Sequence, residues 1–213
     1  MEKKPAFKIL SITSFSTPIL ILTLGISMSQ YLEEKNIEKR RILLIPIGKI
    51  DRNILIYLQP KLKVRFNRKV DIVSRLELPD YTYNSKRRQY YSTPILSELS
   101  SFISNLNGEK ALGIVDVDLY VPELNFVFGE AELGGKVAVI SLIRLRQEFY
   151  GLPSDQELFL ERALKEATHE LGHCFGLRHC SDPTCVMHFS NSLADTDRKS
   201  SFFCKRCKTS IQR

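Results

Sequence analysis

"ATHELGHCFGLRHCSDPTCVMHFSNS", residues 167–192, contains all four histidines of the chain and three of its five cysteines. Histidine is absent elsewhere, so one window holding every imidazole points to a shared task. The residues leading into it, Leu160, Ala163, Leu164, Ala167, Leu171 and Phe175, are apolar at helical spacing. They predict a helix over about 154–175, opened by Pro153 and a Ser154/Glu157 capping box. Residues four apart stack on one side of a helix, so His169 and His173 aim at one point, as two ligands of one metal ion must. Glu170 lies beside them, within reach of a metal-activated water but not ligating. Gly176 can take the left-handed conformation that stops a helix, which lets the chain turn and return His179 to the same point.

The pattern is HEXXHXXGXXH, far more specific than HEXXH alone. Three imidazoles with an open fourth position describe catalytic zinc, which acidifies water and polarises a carbonyl. Glu170 then serves as general base and afterwards as acid toward a leaving amine, so the expected reaction is peptide-bond hydrolysis. Further along, Cys180 and Cys185 form a CX4C, Cys204 and Cys207 a CX2C, and 18 residues separate the two pairs. These are acceptable halves of a tetrahedral thiolate cage, and Met187 lies between them. All five cysteines fall in the last 40 residues. Such clustering suits a metal site in a reducing compartment better than a disulfide framework. Cys174, on the helix and facing inward, reads as a small core residue.

With its downstream methionine, HEXXHXXGXXH resembles the metzincin clan of zinc peptidases. Cys180 directly after His179, Cys185, Met187 and the later "CKRC" at 204–207 are similar to the archaemetzincin family. The resemblance implies that His169, His173 and His179 bind the catalytic zinc and Glu170 is the general base. It also implies that Met187 lies under the metal and that Cys180, Cys185, Cys204 and Cys207 hold a second, structural zinc. The chain departs from some metzincins at Phe189, where a tyrosine two residues after the methionine helps stabilise the transition state. Substrate in this clan pairs as an added strand with a sheet edge, for which the segment 125–140 is the candidate here.

Outward from this block the chain reads as an α/β (α+β) protein, a mixed twisted sheet with three main helices and a zinc-bound C-terminal segment. "ILLIPI" (42–47) and "VDIV" (70–73) are strand-like. They flank a helix capped at Asp51 or Asn53, which Pro60 must kink or end early. A second helix starts with Thr93 as cap before Pro94. "ALGIVDVDLY" (111–120) reads as a buried strand, and 125–145 as two strands broken at Gly134 and Gly135.

The net charge is +7, and six Lys or Arg residues follow Asp197, around the last cysteine pair. Four thiolates on one zinc leave a net negative charge that such cations would offset. The same basic end supports an alternative, a zinc-stabilised binding module, for instance for nucleic acid, with little turnover. Ile9–Leu32 carries no formal charge, but eight Ser or Thr residues, Pro18 and Gly25 interrupt it. Its dense apolar run, 19–28, is shorter than the ~20 residues a spanning helix needs. Residues 1–40 are therefore expected to be an appendage, either an anchor or a start upstream of the real one. Residues 41–213 are expected to form the peptidase domain. The overall expectation is a monomeric, cytoplasmic enzyme with two zinc ions acting on peptides, the alternative location being a membrane anchored through 9–32.

Overall fold

Apolar runs without polar alternation suit strands buried on both faces, and here they form the centre of a mixed sheet. The computed structural model describes residues 27, 28 and 40–211. The readings of 1–40 and 9–32 therefore lie outside the described residues, apart from positions 27, 28 and 40. The strands are Arg41–Pro46 (β1), Lys69–Ile72 (β2), Tyr83–Asn84 (β3), Gln89–Tyr91 (β4), Lys110–Val115 (β5), Leu119–Tyr120 (β6), Gly129–Ala131 (β7) and Val137–Ser141 (β8). The main sheet runs β2-β1-β5-β8-β7, parallel except for β7, which is its antiparallel edge.

Alternate residues of these strands feed two cores. Ile42, Leu44, Leu112, Ile114, Ala138 and Ile140 face the helices Arg52–Phe66 (α1) and Gln156–Cys174 (α3). Leu43, Ile45, Ala111, Val137 and Val139 face Ser92–Ile103 (α2). The three main helices thus cover both faces of the sheet, and among the described residues the outer edge of β7 has no strand partner.

Local chemistry moved several boundaries. Asp51 caps α1 by accepting from the Asn53 amide at 2.9 Å, and the helix continues past Pro60 to Phe66. Pro60 and Ile56, whose carbonyl loses its helical partner, are both exposed, so the freed carbonyl costs less there than it would in the core. α2 starts at Ser92, and the Thr93 hydroxyl donates to Glu130 at 2.7 Å instead of capping the helix. α3 is capped by Asp155, which accepts from the Leu158 amide at 2.9 Å, and not by Ser154. The expected strand 111–120 splits into β5 and β6 because Asp116 and Asp118 turn away to pair with Arg146 and Arg144.

Two pieces were not foreseen. The polar, tyrosine-rich stretch forms a small sheet, β3-β4-β6. From it Arg87 donates to the Leu124 and Asn125 carbonyls at 2.6 and 3.1 Å. The C-terminal segment also carries two short helices, Leu193–Arg198 (α4) and Lys205–Ile211 (α5). It is held down by the buried Arg162, paired with Asp197 at 2.7 Å, and by Arg65, which donates to the Ser201 carbonyl at 2.7 Å. No helix among the described residues is long and apolar enough to cross a membrane.

Candidate active site

α3 delivers His169, Glu170 and His173 from one buried stretch, and its end delivers His179. Gly176 adopts φ +84°, and a Schellman pair closes the helix. The Leu177 amide donates to the Gly172 carbonyl at 3.0 Å and the Gly176 amide to the His173 carbonyl at 2.9 Å. The turn then brings the ring of His179 to 5.0 Å from that of His173 and 5.3 Å from that of His169. One ring nitrogen from each of the three lies within 4.8 Å of the others.

The hydrogen bonds fix what these nitrogens can do. His169 Nδ1 faces the Val186 carbonyl at 2.8 Å, and His173 Nδ1 faces the Leu177 carbonyl at 2.7 Å. A carbonyl has no proton to give, so each Nδ1 must donate and each Nε2 keeps its lone pair. The two Nε2 atoms are 3.1 Å apart. Two lone pairs at that distance repel unless a cation lies between them, and a tetrahedron with metal–nitrogen bonds of about 2.0 Å spaces its nitrogens about 3.3 Å apart. Burial holds all three imidazoles below their ordinary pKa, with Lys199 adding to the effect at each. The residues fit a zinc ion bound by three neutral imidazoles.

Glu170 is buried beside them, and desolvation pushes its carboxyl well above the usual carboxylate range, with Glu166 adding to the effect. Met187 is fully buried against Gly172, where a Cβ would come within 2.4 Å of its sulfur. The expected methionine thus lies beneath the histidine-bearing turn of α3. His188 turns away, with Nδ1 donating to the Cys180 carbonyl at 2.9 Å. Phe189 is half exposed, and its ring is 4.9 Å from that of His179.

The four predicted cysteines also converge, each offering a sulfur within 4.8 Å of the rest. Cys180 and Cys204 sulfurs are 3.8 Å apart. Metal–sulfur bonds of about 2.3 Å set the sulfurs of a tetrahedron about 3.8 Å apart, so this spacing also fits zinc. The Cys204 amide donates to the Cys185 sulfur at 3.3 Å and Arg206 to the Cys180 sulfur at 3.2 Å. Burial raises the Cys180 thiol, but the Asp182 amide and Arg206 outweigh it and bring the thiol down to about 7. Burial and neighbouring thiols push Cys185 and Cys207 up instead. One ionised sulfur therefore opposes the next, and a divalent cation at the centre is what lets all four ionise together. Cys174 is a buried core residue whose thiol burial raises to about 12, too high for a ready nucleophile.

A cleft of about 650 Å³ opens over the histidines. Leu124, Phe126, Phe128 and Leu133 give it an apolar wall, and Arg178 and Phe189 stand at the far side. At its inner end Lys199 is fully buried and paired with Glu166 at 3.0 Å. The Thr196 hydroxyl donates to the same carboxylate at 3.2 Å. Sequence reasoning assigned Lys199 to charge compensation at the cysteines and gave Glu166 no role. The only available signal was that Glu166 lies one helical turn before Glu170.

Residues 42–213 match the profile of peptidase family M54. The chain belongs to peptidase family M54. It is a zinc metallopeptidase. The archaemetzincin of Pyrococcus abyssi is 45% identical over 177 residues, 81% of this chain and 94% of that protein. That of Methanocaldococcus jannaschii is 46% identical over 172 residues, 81% of this chain and 93% of the other. Among solved structures, archaemetzincin of Archaeoglobus fulgidus, complexed with malonate, aligns with a TM-score of 0.70 at 40% identity. That alignment covers 80% of this chain and 99% of the other. Archaemetzincin of Methanopyrus kandleri aligns at 0.71 and 39% identity, over 82% of this M54 chain and 95% of that one. The expected mixed α/β fold and family are thereby shown, and the binding-module alternative is not favoured.

Proposed function

We propose that this M54 peptidase binds two zinc ions, a catalytic one through His169, His173 and His179 and a structural one through Cys180, Cys185, Cys204 and Cys207, with Glu170 as general base. The observation that carries the reading is the pair of lone-pair nitrogens of His169 and His173, 3.1 Å apart, with both Nδ1 atoms committed to carbonyls. A bound zinc ion supplies a Lewis acid that acidifies water and polarises a peptide carbonyl. Glu170 takes the proton of the attacking water and hands it to the leaving amine. The apolar wall excludes water and receives side chains, while β7 offers a strand edge, unpaired among the described residues, to which an extended peptide can add.

The two metal sites should differ in lability. Four protein thiolates close one site, whereas the histidine site keeps a position open to the cleft. A mild chelator should therefore remove one zinc equivalent first and abolish activity while circular dichroism stays unchanged. Metal analysis of reduced protein giving one zinc per chain, with all five thiols titratable before unfolding, would contradict the two-site reading.

The catalytic domain is read as 41–213, acting as a monomer in which each ligand set comes from one chain. The five free thiols favour a reducing, cytoplasmic setting. Because β1 begins at Arg41 and the family match at 42, protein started at Arg41 should fold and bind zinc like the full chain. Insoluble truncated protein would place residues 1–40 within the fold.

A further inference from the structure

Among the described residues no polar partner aims Glu170. It is 6% exposed, yet its carboxylate makes no hydrogen bond or ion pair among the described residues. Its acidic neighbours are already engaged, Glu166 by Lys199 and Thr196 and Glu130 by the hydroxyls of Ser92 and Thr93. A buried side chain without such bonds is oriented by the walls around it. The wall along its stem is the backbone of β7. A Cβ on Gly129 would stand 2.6 Å from Glu170 Cγ and 2.9 Å from its Cδ. It would also meet the Val139 carbonyl oxygen at 2.7 Å. Gly129 is not among the glycines with positive φ, so what this position requires of glycine is space, not an unusual backbone.

We infer that Gly129 is a positioning residue for the reaction: the bare strand at this point leaves the slot in which the Glu170 stem lies, and the slot fixes where the carboxylate stands. The inference rests on the reading of Glu170 as general base. Gly129 also belongs to the sheet edge that lines the cleft. Base and added substrate strand would therefore take their positions from the same stretch of backbone, so a shift of β7 alters the distance between the base and the reacting carbonyl.

The test compares zinc-loaded full-length Gly129→Ala, Glu170→Gln, Glu170→Ala and the Gly129→Ala/Glu170→Ala double variant. Gly129→Ala should bind normal zinc and hold KM within about threefold while kcat falls about a hundredfold, the size of effect a misplacement of ~1 Å produces. Its thermal midpoint should fall by about 5 °C, and by measurably less in the Glu170→Ala background, where the stem it strikes is gone and only the clash with the Val139 carbonyl remains. A kcat within about threefold of the unsubstituted enzyme would overturn the inference, since that is far short of the loss misplacement causes. An equal loss of stability in both backgrounds would also overturn it, by assigning the clash to the Val139 carbonyl. If Gly129→Ala does not fold, the double variant decides: restored folding supports the slot, and failure in both backgrounds overturns it. An active Glu170→Gln would remove the general-base reading and this inference together. An inactive Glu170→Gln beside a fully active Gly129→Ala would remove only the inference.

Discussion

Glu170→Gln should purify with the same zinc content as the unsubstituted chain and lose at least about a hundredfold in turnover, equivalent to roughly 2.7 kcal/mol of transition-state stabilisation. The amide has almost the volume of the acid, so the packing against β7 at Gly129 survives. What it lacks is the ability to accept and return a proton. The residue is also not among the converging histidine nitrogens, so its loss should leave metal binding unaltered. Parallel metal analysis and steady-state kinetics on one peptide check this, and retained turnover would sink the mechanism.

Cys207→Ser is expected to damage the same activity from a distance and to cost far more stability. Cys207 is buried at the start of α5 and belongs to the core shared with Met187 and Val186. A structural zinc contributes its binding free energy, on the order of 10 kcal/mol, to folding. Losing even half of that should lower the thermal midpoint by about 10 °C or more. The segment after Met187 would then hold only by contacts such as Arg162–Asp197, Arg65–Ser201 and the Val186 amide on the Phe202 carbonyl. His169 donates to the Val186 carbonyl, so loosening that turn frees its ring and lowers activity without touching a histidine. Unchanged melting with two zinc ions still bound would show that Cys207 is not a ligand of the second zinc.

The parts of the molecule legible in sequence are those fixed by local rules. Helical periodicity and the histidine spacing located α3, and Gly176 was readable because only a residue at ease with positive φ ends a helix in a Schellman turn. Gly134, at φ +72°, marked the β7–β8 hairpin for a similar reason. Helix starts were less legible, because Ser154, Asp155 and Thr93 are all competent caps and tertiary contacts chose among them. Pro60 does not end α1 early, because the cost of a helical proline depends on whether solvent reaches the freed carbonyl, which the sequence does not state. The ion pair of Glu166 with Lys199 and the packing of Gly129 on Glu170 join residues far apart in the chain. No spacing rule reaches across such distances, so the inner end of the cleft and the slot for the base emerged only from the fold.

The central claim is that these histidines and Glu170 make a working peptidase, and the most direct measurement is a mixed peptide library digested by zinc-loaded protein beside its Glu170→Ala variant. The expected result is a set of new termini produced by the unsubstituted enzyme and absent from the variant, with bulky apolar side chains enriched near the cut, as the wall of Leu124, Phe126, Phe128 and Leu133 requires. The same products from both proteins, or none from fully zinc-loaded unsubstituted enzyme, would contradict it.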